Sequence, residues 1–104
     1  MVEVGYTSEA IADLVKNPQN RIEKVRPAVE KLGGKLHEGF FSFGDYDVIA
    51  IGEFPNNVGA AALAMAFSAG GACRCVKTTP LMTGEEAVEA MRKAGGSGYQ
   101  PPKT

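Results

Sequence analysis

Residues 46–54 run Tyr46-Asp47-Val48-Ile49-Ala50-Ile51-Gly52-Glu53-Phe54. The β-branched residues and the absence of an internal proline make this a strand, and successive side chains then point to opposite faces. Asp47, Ile49, Ile51 and Glu53 share one face, while Tyr46, Val48, Ala50 and Phe54 share the other. Each face is largely apolar along this strand, so each needs a cover. The stretch before it, Lys35 to Phe43, is strand-like as well, and Gly44-Asp45 between them suits a tight antiparallel hairpin.

Moving outward, glycine pairs and capping residues mark the remaining elements. Val2 to Tyr6 reads as a short strand, and Thr7-Ser8 supplies hydroxyl caps ahead of Ile11, Leu14 and Val15. Asn17-Pro18 interrupts that helix; Asn17 is the expected N-cap of the next one and Pro18 its first residue, with Ile22, Val25, Val29 and Leu32 at helical spacing. Pro27 removes one backbone hydrogen bond from this second helix and should bend it. Gly33-Gly34 ends it. After residue 54, Pro55-Asn56-Asn57 caps a helix over 58–69, whose alanines favour helix and close packing. Gly70-Gly71 closes that helix, and residues 72–79 form a strand ended by Pro80. Thr83-Gly84-Glu85-Glu86 is a capping box for a last helix through Ala94. The Gly- and Pro-rich residues 95–104 read as a mobile tail unless a partner subunit holds them.

This order gives an α+β, ferredoxin-like βαββαβ domain over residues 1–94, a four-stranded antiparallel sheet with an added C-terminal helix. Its helices cover one face of the sheet. The other face must meet a second copy or line a cavity, and a symmetric homodimer with facing sheets, or a higher symmetric oligomer, does this with one sequence.

The chain has 104 residues, enough for one core. Eleven basic residues against twelve acidic ones leave a net charge of -1, which argues against nucleic acid and against a polybasic membrane patch as partners. No apolar run reaches the roughly 20 residues of a spanning helix, and Met1-Val2-Glu3-Val4 lacks the layout of a signal peptide. The expectation is therefore a soluble, cytoplasmic protein. Cys73 and Cys75 sit two apart in a strand, where side chains on one face lie about 7 Å apart and do not bridge. They read as two small core residues. With one histidine, His37, far from them in sequence, no metal site is expected. No phosphate-binding loop, dinucleotide fingerprint, zinc-protease motif or nucleophile elbow is present, so no cofactor is expected.

The polar residues placed to enter the space against a second sheet are Tyr6, His37, Asp47, Glu53 and Arg74. Asp47 and Glu53 share the face of the isoleucines and need a cation there; Arg74 is the candidate. In the turn, Asp45 and Asp47 flank Tyr46. Turn stabilisation through backbone amides or a neighbouring phenol, and a carboxylate–phenol pair for acid–base work, are the two readings of that group.

Tyr6-Thr7, Arg21, Leu32-Gly33-Gly34, the turn Gly44-Asp45-Tyr46-Asp47 after Phe43, Glu53-Phe54-Pro55, the alanine-rich helix and Arg74 to Thr79 resemble the GYD-domain family of small bacterial proteins over residues 6–94. The resemblance implies a dimeric α/β-barrel type of ferredoxin-like fold and a family without an established activity. Relative to the family pattern, a few residues are missing before Tyr6, Asn56 replaces an acid, and Pro27 stands in a helix; the first departure implies a late start at Met1 or a shortened first strand. Two functional hypotheses follow. One is a non-catalytic homo-oligomeric module that binds a small ligand or protein partner through the intersheet space or the tail; the alternative is a cofactor-free enzyme, of monooxygenase or isomerase type, acting on a small apolar or aromatic molecule in the intersheet cavity. A pocket of several hundred Å³ enclosed by the assembled sheets, with His37, Tyr6 or the Glu53 and Arg74 pair converging on it, would distinguish them.

Overall fold

The computed structural model describes residues 1–102. In chain order the elements are β1 (Val2–Tyr6), α1 (Ser8–Lys16), α2 (Arg21–Lys31), β2 (Lys35–Phe41), β3 (Val48–Glu53), α3 (Asn57–Ala69), β4 (Cys73–Thr78) and α4 (Gly84–Gly95). The strands form one antiparallel sheet in the order β2-β3-β1-β4, the ferredoxin-like arrangement with an added helix. No described helix is long and apolar enough to cross a membrane. Of the tail expected from residue 95, Gly95 closes α4, and Lys103 and Thr104 lie outside the described residues.

Local chemistry sets the helix starts. Thr7 Oγ1 accepts the Ala10 amide, Asn56 Oδ1 accepts that of Val58, and Thr83 with Glu86 forms a reciprocal capping box. The second helix departs from expectation. Asn17 ends α1, its amide donating to the Asp13 carbonyl, and the cap of α2 is Asn20, whose Oδ1 accepts from Ile22 and Glu23. Pro18 therefore lies in the connection. Pro27 sits inside α2, which continues to Lys31, where Gly33 at φ 86° turns the chain away.

The hairpin is also looser than expected. Strand pairing stops at Phe41 and Val48, leaving six connecting residues held by Ser42, whose amide donates to the Asp47 carbonyl at 2.8 Å and whose hydroxyl donates to that of Tyr46 at 2.6 Å. A two-residue turn of the preferred type needs positive φ, and neither Gly44 nor Asp45 has it. Asp47 is bound instead to β1: its amide donates to Val4 and its carboxylate accepts from Tyr6.

Register divides the sheet into two faces. Val2, Val4 and Tyr6 of β1 and Val48, Ala50 and Gly52 of β3 point toward the helices. The open face carries Phe40, Ile49, Glu3 and Lys77 in one row, with Ile51 beside Glu38. Its apolar part is thus narrower than the third strand alone implies, because β1 and β4 contribute charges. Two irregularities break the alternation, between Gly5 and Tyr6 and between Leu36 and Glu38. The first separates the cysteines: Cys73 pairs with Tyr6, Cys75 with Gly5, so the two thiols do not share a face as regular spacing predicted.

The deepest core is small, consisting of Val4, Val29, Val48 and Leu63. One chain exposes 7803 Å², against about 5,600 Å² for a compact monomer of its mass. Its radius of gyration is 17.6 Å, where about 13 Å is usual for this length. Helix α4 has no extensive packing against the sheet or the other helices, and Val88 and Met91 on it are exposed together with Leu81 and Met82 before it.

Candidate functional site

Two runs of small side chains face each other across the layer. On β3 the helix-facing residues shrink from Val48 to Ala50 to Gly52, and α3 presents Ala60, Leu63, Ala66 and Phe67 toward them. One leucine and one phenylalanine do not fill the width between a sheet and a helix. The result is an open cavity of about 1000 Å³ between the sheet and its own helices. The alanines expected to give close packing leave space instead.

The cavity extends along β1 from Tyr6 to Met1 and on to Leu81 and Met82. At the Tyr6 end it is lined by Arg21, the first residue of α2, and by Cys73. Burial raises the Tyr6 phenol above its ordinary value of 10.0, against the opposing pull of the Arg21 guanidinium. Burial likewise raises the Cys73 thiol above 9.0, with Cys75 adding to the effect and Arg21 opposing it. Arg21 thus stands between a neutral phenol and a neutral thiol. Among the described residues it has no ion-pair partner.

The five residues singled out in the sequence divide between two places. Tyr6, His37 and Glu53 line the cavity, but Tyr6 lies beyond the Val48 end of β3 and Glu53 at the other end, roughly 20 Å apart at the rise of a strand. His37 falls in the irregularity of β2, where its Nε2 lies 3.4 Å from Glu53 Oε1 in a pair that is half exposed on both sides. Asp47 and Arg74 do not line the cavity. Asp47 Oδ2 accepts the Tyr6 amide at 2.7 Å.

Arg74 does not pair with Asp47 or Glu53. It crosses over Gly5, where a Cβ would lie 2.6 Å from its Cζ, and donates to the Asp45 carbonyl at 2.7 Å. The irregularity opposite Gly5 turns Arg74 and Cys75 to the same side, and the missing side chain of Gly5 provides the passage. Gly44, Asp45, Tyr46 and Asp47 accordingly form a loop tied to β1 and β4 through Asp47 and through the Asp45 carbonyl. The described residues contain no group of three or more His, Cys, Asp or Glu side chains fit to hold a metal ion.

The fold and the loop around Tyr46 coincide with a match to the sequence model described as "GYD domain", which spans residues 1–91. The chain belongs to the GYD-domain family. No curated protein and no solved structure matches it. In this GYD domain the residues missed by the sequence reading are Arg21 and Cys73, the first noted only as part of the family pattern and the second taken as core. One signal for Arg21 was available: a cation in the first turn of a helix faces the positive end of the helix dipole, a position that favours acids. Cys73 had no comparable signal, because the irregularity that turns it toward the cavity leaves no trace in composition.

Proposed function

We propose that this GYD protein is a non-catalytic, homo-oligomeric module that binds a small, largely apolar molecule between its sheet and its helices. The under-filled cavity of about 1000 Å³ carries the reading, since a space of that size with valine, alanine, leucine and phenylalanine walls and polar residues toward its ends is the usual form of a small-molecule site. Binding suits the cavity better than catalysis. A cofactor-free enzyme needs an activated base or nucleophile there, and the phenol and thiol beside Arg21 are both shifted toward their neutral, protonated forms.

The oligomer rests on surface area. The excess of exposed surface over a compact monomer is about 2,200 Å² per chain, and two chains covering it would bury an area within the range of obligate homodimers. The open sheet face and α4 are the parts to be covered, with Phe40, Ile49 and Ile51 on the first and Val88 and Met91 on the second. Two unbridged cysteines fit a reducing, cytoplasmic setting.

Titration with 1-aminoanthracene, a neutral apolar fluorophore, tests the cavity, and decanol should displace it. Saturable binding of about one probe per chain is expected; absence of saturable binding refutes the reading. Sedimentation equilibrium at micromolar concentration tests the assembly, and a species at the 10.9 kDa chain mass would refute it.

A further inference from the structure

The cavity is polar at its ends and apolar between them, and the ends differ in charge. Arg21 is the one Arg or Lys among its described lining residues, while Glu53 and Glu86 belong to the other end. Glu53 lies against His37, and Glu86 is engaged by the capping box of α4. Among the described residues Arg21 has no carboxylate within ion-pair distance, although it occupies the first turn of α2, where the helix dipole disfavours a cation. The acid nearest Tyr6, Asp47, is turned to the Tyr6 amide. A half-buried guanidinium beside apolar walls, with a phenol donor next to it, therefore lacks the anion that such a group normally has.

We propose that the ligand of this cavity carries a single carboxylate, bound by Arg21 with the Tyr6 hydroxyl as a second donor, and an apolar body that extends along β1 toward Met1. This rests on the reading of the cavity as a binding site and names the chemical class of its occupant. One guanidinium matches one carboxylate, which it can hold through two parallel N–H donors; the other cation on the described lining, the Met1 ammonium, lies at the far end of β1 and donates to the Thr79 carbonyl, too far from Arg21 to share one phosphate with it. Orientation follows from the free guanidinium: at the far end the Met1 ammonium is engaged by the Thr79 carbonyl and the carboxylates of Glu53 and Glu86 oppose an anionic head.

The test compares decanoate with decanol as competitors for 1-aminoanthracene in the full chain, at pH 7 and fixed salt. They share a tail and differ in the head group. Decanoate should bind about 10- to 100-fold more tightly than decanol in the unmodified protein, the range for a charge-assisted hydrogen-bonded pair. Arg21→Gln should remove that advantage and leave decanol affinity unchanged, and Arg21→Lys should restore part of it. Equal affinities in the unmodified protein, or an advantage that survives Arg21→Gln, overturn the proposal while leaving the cavity as a site for neutral molecules. If neither compound displaces the probe, the binding reading itself falls and this proposal with it. The comparison in the unmodified chain stands whether or not the variants fold.

Discussion

Ala60→Leu separates a vacant layer from a tightly packed one by the sign of its effect. Ala60 is half-buried on the cavity side of α3, where Leu63 and Phe67 follow at helical spacing. Leucine adds three carbons, which at about 0.8 kcal/mol for each buried CH₂ give at most ~2.4 kcal/mol. Ordering the side chain costs about 0.5–1 kcal/mol, and the loss of helix propensity is a few tenths. Near 1.5 kcal/mol of stabilisation should remain, a rise in Tm of roughly 6–12 °C for a domain of this size. Had the alanines been packed closely against the sheet, the same change would force strain and cost about 1–3 kcal/mol. The assay is thermal and urea denaturation at fixed protomer concentration, because assembly couples to stability. Ala61→Leu, one residue on and exposed, is the control and should move stability by less than about 0.5 kcal/mol. Destabilisation by Ala60→Leu with a silent control refutes the cavity argument, and stabilisation should come with a reduced capacity for 1-aminoanthracene.

Ile51→Asp places a charge in the middle of the open sheet face, and an uncompensated charge buried between subunits is costly; light scattering should show the assembly shifted to single chains, whereas an unchanged mass would show that this face is not an interface. Asp47→Ala leaves the Tyr6 amide without its acceptor, and a loss of about 1–3 kcal/mol by urea denaturation is expected, reduced in Asp47→Asn, which keeps an oxygen there. The raised phenol of Tyr6 and thiol of Cys73 make the folded state hold protons more tightly than the unfolded chain. Their contribution to stability is therefore complete below the ordinary values of 9.0 and 10.0 and is lost as pH rises through the higher folded values. Tm should fall from about pH 9 upward, and Tyr6→Phe should flatten the upper part of that fall; an unchanged alkaline limb in the variant would show that Tyr6 does not contribute.

Most of the fold was readable because its determinants are local. Thr7, Asn56 and the Thr83-to-Glu86 box start helices by bonding amides two or three residues away, and Gly33 and Gly71 follow helix ends with the positive φ that only glycine adopts freely. Where two local solutions competed, the sequence reading chose the wrong one. Asn17 and Asn20 are both suitable caps, and Pro18 after Asn17 favoured the first; the chain uses Asn17 to end α1 and Asn20 to begin α2. The hairpin failed for a different reason. Gly44-Asp45 suits a two-residue turn, but Asp47 is drawn to Val4 and Tyr6 on a strand more than forty positions earlier, and no local pattern reports that.

The site was less readable because it depends on volumes and on strand irregularities, both of which arise between elements. Alternation placed Asp47 and Glu53 on one face, with Arg74 on the last strand the cation expected to meet them. A single extra residue opposite Gly5 moved it onto a backbone carbonyl and turned Cys73 toward the cavity, since one such residue exchanges the faces of everything beyond it. The cavity comes from the coincidence of Val48, Ala50 and Gly52 with an alanine-rich helix. Neither run is unusual alone, because alanine in a helix and small residues in a central strand are both compatible with close packing. Only their juxtaposition leaves the layer under-filled. Arg21 at the unfavourable end of a helix costs little by itself, but beside a space the chain does not fill it marks the end from which an anion would be held. Volume and charge thus point to one end of one cavity, and they can fail separately, the first in the Ala60→Leu melt and the second in the decanoate comparison.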